Sequence, residues 1–370
     1  MIRILNVVST MDMGGAETLI MNLYRNIDRE KVQFDFLCHN RIEAKYTDEI
    51  RSMGGKMFMV NGITHGGFFK YKKSLYNFFK EHPEYQTVHS HNDLLSGIIL
   101  TQAKKAGVKN RYSHSHSTYK MSSIFSKVYA FILKLFFVNS VTHAFACADA
   151  AGKALYMGKM KKNFEVISNG VDTSRFVFTK EKREKILKEL GLEDKIVIGH
   201  IGRFIDAKNH KFLIKIFNEI SKIDDNVRLV LVGEGKLKAE TEEQVKNLNL
   251  TDKVHFLGSR TDINEILSAF DLLLFPSLYE GLSVAMVEAQ TSGVPILASD
   301  TVSSEVAITD RVKQISLEKR PEEWAQIALE LIKENKVTNR EEYADKVAKA
   351  GFDIKETAKK LQEFYLKTEE

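Results

Sequence analysis

The chain reads as an α/β protein of two doubly wound domains, and three features of the sequence point there. Short apolar runs alternate with segments of helical spacing along the whole chain. The alternation pauses once, in a highly charged stretch near the middle, and restarts with a fully apolar run. The length, 370 residues, exceeds the size at which single cores usually stop growing.

The elements follow in order. IRILNVV, VQFDFLC, KMFMV, TVHSH, RYSHSH, HAFAC and FEVIS are the strands expected in the first half. IVIGHIG, RLVLVG, KVHFLG, DLLLF and PILAS are those of the second. Between them, segments such as AETLIMNLYRNI and NHKFLIKIFNEISK place apolar residues at helical spacing. Strand–helix alternation means parallel sheets with helices on both faces. The pause is TKEKREKILKELGLEDK, so the domain boundary is expected around residues 178–194. Ligands bind at the carboxyl ends of such strands, so a cleft shared by the two domains is the expected site.

Composition narrows the function classes. Hydrophobic residues make up 44% and charged residues 28%, as in ordinary soluble proteins. The 4 prolines and the absence of low-complexity tracts argue against long disordered segments. A formal charge of +5 is too modest to indicate nucleic acid. Cys38 and Cys147 sit in apolar runs and read as buried free thiols of a reducing compartment, hence a cytoplasmic protein. MIRILNVVST reads as a first strand and not as a signal peptide. The longest apolar run, VYAFILKLFFV, is interrupted by Lys134 and is too short to span a bilayer. With Lys120 and Lys127 it reads in two ways. It is an amphipathic helix lying on an anionic membrane surface, or a core helix with snorkelling lysines.

The richest stretch for chemistry is DLLLFPSLYEGLSVAMVEAQTSGVPILASD. A buried strand ends at Pro276, and the loop SLYEGL leads into a helix from about Ser283. Amides at a helix start attract anions, phosphates above all. Gly281 lets backbone approach a ligand. Glu280 sits ahead of those amides. Glu288 falls roughly 7 to 8 Å into the helix, about the distance from a diphosphate to the ribose of a nucleotide. A carboxylate there can accept two ribose hydroxyls.

In HIGRFIDAKNHKFLIKIF a strand ends at Gly202, and Arg203 and Lys208 flank the loop that follows. Two cations at a strand mouth suit a departing diphosphate. In STMDMGGAETLIMNLYRNI, Gly14 and Gly15 precede a helix, with Glu17 in its first turn. This lacks the third glycine of the dinucleotide fingerprint, and so does the GEG at Gly233 to Gly235. His89 and His91, and likewise His114 and His116, are spaced i, i+2, so each pair shares one face of a strand. Carboxylate or cysteine partners at ligand spacing are sparse, which argues against a metal centre. Asn92 and Asp93 begin a helix, where either capping or contact with an acceptor explains them.

The two-glutamate segment resembles the motif of retaining glycosyltransferases of the GT-B fold, the group 1 or family four type, as found in bacterial capsule and exopolysaccharide synthesis. The resemblance runs from Gly14 to the tail DIKETAKKLQEFYLK. It implies that Glu280 faces the donor sugar, that the amides of Leu282 and Ser283 hold the diphosphate, and that Glu288 binds the ribose. Arg203 and Lys208 would clamp the diphosphate beside Gly202, with Gly14 and Gly15 lining the opposite wall. VHFLGSRTDINEIL would cover the base through backbone groups around Leu257 and Gly258. A histidine at the end of NRYSHSHST, either His114 or His116 with His116 nearer the strand's carboxyl end, would face the reacting sugar. SNGVD departs from the usual pattern in having Ser168 where proline is common.

The resemblance further implies an acceptor-binding domain of residues 1–180 joined by the tail, 354–370, and a donor-binding domain of residues 181–353. The expected activity is metal-independent transfer of a sugar from a UDP-sugar or other nucleotide-diphosphate sugar to a glycan or lipid-linked acceptor, at the inner face of the plasma membrane. His114, Asn92 and Asp93 would touch the acceptor. A nucleotide-sugar epimerase on the same fold, or a non-catalytic nucleotide-sugar-binding scaffold, are the alternatives.

Overall fold

The computed structural model describes the chain except residues 13, 40–41, 64–66, 117–129, 131–132, 134–135, 138, 157–162, 281–282, 336–338 and 370. The described residues form two compact units. One is Met1–Gly170 with Ile354–Glu370, and the other is Val171–Asp353. The division falls ahead of the charged stretch, earlier than residue 180. Residues 171–179 are committed to the second unit by their contacts. Val171 N donates to Phe352 O at 2.9 Å, and Thr173 hydrogen-bonds Asp353. Phe176 and Phe178 are buried, and the Arg340 guanidinium lies 4.3 Å over the Phe178 ring.

The first unit is built on seven parallel strands: β1 (Ile2–Val8), β2 (Val32–Cys38), β3 (Met57–Met59), β4 (Thr87–Ser90), β5 (Asn110–Ser115), β6 (His143–Ala146) and β7 (Glu165–Val166). Their order is β3-β2-β1-β4-β5-β6-β7, so the winding reverses between β1 and β4. All seven residues of β2 are buried, as expected of a strand covered on both faces. Cys38 and Cys147 are both buried, and neither forms a disulfide among the described residues.

The helix Ile354–Glu369 belongs to this unit although it ends the chain. Ile354, Ala358, Leu361 and Tyr365 recur at helical spacing, and all four are buried in the cluster that holds Leu19, Leu23, Phe34 and Phe145. Its polar edge is tied down as well. Asp28 N donates to Gln362 Oε1 at 2.6 Å, and Tyr365 Oη lies 2.6 Å from His89 Nδ1. Of the Val128–Val138 run, the structure describes Leu133, Phe136 and Phe137, which pack on the β4–β5 core, and buried Ala130. The remaining residues of that run, and with them the membrane-surface reading, lie outside the described residues. No described helix is long and apolar enough to cross a membrane.

The second unit repeats the plan with β8 (Ile196–Ile201), β9 (Val227–Val232), β10 (Val254–Gly258), β11 (Leu272–Phe275), β12 (Ile296–Ser299) and β13 (Val312–Ile315). The order is β10-β9-β8-β11-β12-β13, all parallel, with the reversal between β8 and β11. β13 has no counterpart among the strands expected from sequence. It is a short edge strand, VKQI, whose Lys313 is exposed, and a charge on an edge strand resembles loop composition.

Replacing Leu361 by Ala should cost about 2–5 kcal/mol, the range for emptying a well-packed leucine site. Urea unfolding of the full chain reads this out. A loss near zero would mean that the C-terminal helix is not part of the first unit's cooperative core.

Candidate active site

Each unit is open where its strand order reverses, because the loops on either side leave in opposite directions. In the second unit the loop after β8 carries Arg203 and Lys208, and the loop after β11 carries Glu280. Backbone and side chains knit these loops together. Leu278 N donates to Ala207 O at 2.8 Å, and Asn209 Nδ2 donates to Pro276 O at 3.0 Å. Asn209 holds a left-handed φ of 55° that lets the loop turn directly into the helix His210–Ile223. Across this junction Lys208 Nζ meets Glu280 Oε1 at 2.5 Å, with side chains 14% and 18% exposed. Lys208 Nζ also sits 4.6 Å over the Phe275 ring. Arg203 is exposed beside them and carries no ion pair among the described residues. Three residues singled out from two separate motifs therefore share one strand mouth.

Two residues without a motif join them. His200 Nδ1 lies 2.9 Å from Leu274 O, so it carries the proton and leaves Nε2 bare. His210 stacks on Phe204 with ring centroids 4.0 Å apart. Burial and the nearby Lys208 lower both histidines, His210 to about 4, so both are neutral at physiological pH. The i, i+10 separation of these histidines matches no strand or helix period, so sequence offered no signal for the pair.

The helix Val284–Thr291 begins after Ser283, whose φ of −76° and ψ of 110° are extended. Glu288 lies on that helix and is half-buried. Burial pushes its carboxyl up to about 8, and Arg175 opposes that rise. Arg175, which sequence reasoning passed over inside SNGVDTSRF, is thus the cation that faces Glu288. Its Nη2 is anchored on Thr261 O at 3.1 Å. Gly281 and Leu282 lie outside the described residues.

On the other side of Arg203, the register shifts between Phe256 and Gly258, which leaves Leu257 out of the β9–β10 ladder. Gly258 O accepts from Gly233 N at 2.8 Å. The structure also explains the GEG sequence. A Cβ on Gly233, at φ 143°, would collide with Gly202 O, and one on Gly235 would meet Phe204 N at 2.7 Å. These glycines serve the close approach of two backbones.

In the first unit the reversal lies beside β1, β4 and β5. Gly14 caps the helix Gly15–Asn26, and the space beyond Gly15 is open. The Glu17 carboxylate folds back over Gly14. Asn92 does not cap its helix by its side chain. Instead its Nδ2 donates to Val7 O at 2.8 Å and its Oδ1 accepts from Ser9 Oγ at 3.0 Å, which ties β4's end to β1's. Asp93, at φ 44°, accepts from His116 N at 2.9 Å.

The four histidines form a two-by-two array. Rings along one strand stack at 4.3 Å (His89–His91) and 4.4 Å (His114–His116), and rings across strands lie 5.2–5.4 Å apart. His114 is fully buried, and neither ring nitrogen has a hydrogen-bond partner among the described residues. It therefore backs His116, which corrects the expectation that it touches an acceptor; His116 keeps exposed surface. Nitrogens of His89, His91 and His114 lie within 4.8 Å of one another. A tetrahedral ion wants its nitrogens about 3.4 Å apart, from bonds of about 2.0–2.1 Å. Rings stacked face to face, such as His89 and His91, do not aim in-plane lone pairs at one point. His91 is the member of the array whose two ring nitrogens both meet hydrogen-bond partners.

Two parallel doubly wound units with charged loops at their reversals are the architecture of GT-B glycosyltransferases. Solved structures share it. The chain matches Anabaena Alr3699/HepE, crystallised in complex with UDP-glucose, at a TM-score of 0.79 and 18% identity over 99% of this chain and 100% of that one. WaaG, a glycosyltransferase involved in lipopolysaccharide biosynthesis, matches at a TM-score of 0.72 and 16% identity over 98% and 99%.

The family model described as Glycosyltransferase Family 4 matches residues 13–175, and that of Glycosyl transferases group 1 matches residues 182–351. A Bacillus subtilis (strain 168) protein named a glycosyltransferase, EpsF, is 34% identical over 369 residues, 98% of this chain and 96% of its own. The capsular polysaccharide biosynthesis glycosyltransferase CapH of Staphylococcus aureus is 25% identical over 99% of both chains. The chain belongs to this glycosyltransferase family and is a glycosyltransferase enzyme.

The raised Glu288 carboxyl has a consequence for stability. Its folded value, about 8, exceeds the ordinary value of 4.5. A proton held more tightly in the folded state stabilises it fully below 4.5, and this contribution is lost as pH rises through 8. Glu288→Gln should therefore melt higher than the parent above pH 8, by roughly 2–4 °C. The gap should close towards pH 5. Thermal melts across that range check it, and a constant gap would contradict the burial cost.

Proposed function

We propose that the protein is a retaining glycosyltransferase that moves a sugar from a UDP-sugar to a glycan or lipid-linked acceptor in cell-surface polysaccharide synthesis. The observation that carries this reading is the convergence of Arg203, Lys208 and Glu280 at the reversal between β8 and β11. Support for the donor comes from the UDP-glucose complex of the Anabaena protein. Support for the acceptor comes from an Escherichia coli relative, 25% identical over 96% of this chain and 94% of its own. Its name is UDP-Gal:alpha-D-GlcNAc-diphosphoundecaprenol alpha-1,3-galactosyltransferase.

In this reading the second unit, residues 181–353 with the preceding segment, binds the donor. Charge builds on the diphosphate as the glycosidic bond breaks. Arg203, Lys208 and the amides at Leu282 and Ser283 neutralise it without a metal ion. Lys208 turns from Glu280 to the phosphates, which frees Glu280 to hold the donor sugar. Glu288 accepts the ribose hydroxyls, and Leu257 and Gly258 cover the base beside Gly202. Gly14, Gly15, His116, Asn92 and Asp93 are the first unit's proposed contribution to substrate binding. The acceptor hydroxyl attacks from the face the phosphate leaves, with that phosphate taking its proton. The enzyme works at the cytoplasmic face of the membrane, where a lipid-linked acceptor is presented.

A donor panel tests the class. UDP-glucose, UDP-galactose, UDP-N-acetylglucosamine and GDP-mannose are incubated with and without lipid-linked acceptor, and nucleotide diphosphate is measured. Acceptor-dependent UDP release is expected. Conversion of the sugar with no acceptor would identify an epimerase, and binding with no turnover a scaffold.

With an active donor, Arg203→Ala and Lys208→Ala should each lower kcat at least about tenfold, the loss of one contact to developing charge. Glu288→Ala should instead raise the donor KM. Unchanged kinetics in all three variants would sink the assignment of the site.

A further inference from the structure

Asn6, His91 and His116 form a hydrogen-bond chain across β1, β4 and the end of β5, and its direction follows from the chemistry of its ends. Asn6 Oδ1 is a carbonyl oxygen and only accepts. It lies 3.1 Å from His91 Nε2, so that nitrogen carries the proton. His91 is held neutral by burial and by the neighbouring His89 and His116. Its other nitrogen, Nδ1, is therefore bare and must accept. The group within reach is His116 Nε2 at 2.9 Å, which donates. His116 is neutral too, with burial lowering it to about 4, so its own Nδ1 has a lone pair and no proton. That Nδ1 is shielded from water and has no partner among the described residues.

The chain is held at every joint. Asn6 lies in β1, paired in register with both Phe36 and His89. His91 N donates to Val7 O at 2.9 Å. His116 is pinned by its own amide on Asp93 Oδ1 and by the His114 ring stacked 4.4 Å away at 20°. The imidazole of His116 therefore cannot swing without breaking the bond to His91, and it changes tautomer only if His91 and the Asn6 amide reverse with it. A free histidine exchanges its tautomers readily, and a site that needs one acceptor nitrogen has to prevent this.

We propose that His91 is a positioning residue that fixes His116 as its Nε2–H tautomer, so that His116 Nδ1 accepts a hydrogen bond from a hydroxyl of the reacting sugar or of the acceptor. This deepens the reading of His116 given above and rests on it. His116 then works as a neutral acceptor and orients a hydroxyl; it is no acid for the leaving group. The proton of the attacking hydroxyl still goes to the departing phosphate.

Two arms test this on the full-length protein. Long-range 1H–15N spectra of the protein labelled with 15N-histidine report tautomers directly and need no substrate. Nε2–H is expected for both His91 and His116, and Nδ1–H on either overturns the proposal. The second arm measures UDP release from the UDP-sugars of the panel. His91→Leu keeps the volume but not the acceptor, and kcat should fall about tenfold or more with the donor KM within about twofold. His91→Asn returns an oxygen near the position of Nδ1 and should recover most of kcat. If both variants lose activity equally and melt lower, His91 is merely structural and the proposal fails. If His116→Leu is crippled while His91→Leu is unaffected, the positioning role fails and the reading of His116 stands. If His116→Leu itself keeps full kcat, it is the reading of His116 that fails, whatever the tautomers are.

Discussion

Parallel pairing of β8 with β11, and of β1 with β4, is the constraint from which the rest of this protein follows. Each pair joins strands far apart in sequence, and each marks the place where the winding turns from one direction to the other. Loops at the carboxyl ends must diverge there, and only there can side chains from distant segments meet over an open strand end. Lys208 and Glu280 are separated by β9, β10 and β11 with the helices before them, and still close to 2.5 Å, because β8 and β11 are neighbours. Asn6, His91 and His116 meet for the same reason on the other unit.

Much of this was legible in sequence. β2 and β8 are mostly apolar, broken only by Gln33 and Asp35 in one and His200 in the other, and the helix His210–Ile223 keeps its apolar residues on one stripe, so periodicity identified them. The cationic loop and the glutamates could be named because their spacing resembles a known motif. Besides the His200–His210 pair, three things could not be read. β13 is short and carries a lysine, so it looks like loop. Arg175 acts on Glu288 through its charge, and its loop is anchored on Thr261 O, a relation across the fold with no local pattern. The domain boundary was placed by composition, whereas it is set by where Val171, Phe176 and Phe178 are buried. Composition marks the exposed helix of a junction and not the extended segment before it.

The same fold treats its charges in two ways. Lys208 and Glu280 are mostly buried but paired, so each offsets the other's desolvation. Glu288 has the more distant Arg175 and bears much of its burial cost as a raised carboxyl. An arrangement of this kind stores free energy in the ligand-free protein at positions where a polar ligand would relieve it.

The C-terminal helix carries a consequence for synthesis. Until Ile354, Ala358, Leu361 and Tyr365 arrive, the face of the first sheet that holds Leu19, Phe34 and Phe145 lacks its cover. A ribosome releases those residues only after every residue of the second unit has been made. The second unit can therefore complete its core first, although the chain begins with the other. The first unit must wait, part-formed and with apolar surface bare, for the helix Ile354–Glu369, and this is the interval in which a chaperone has something to bind.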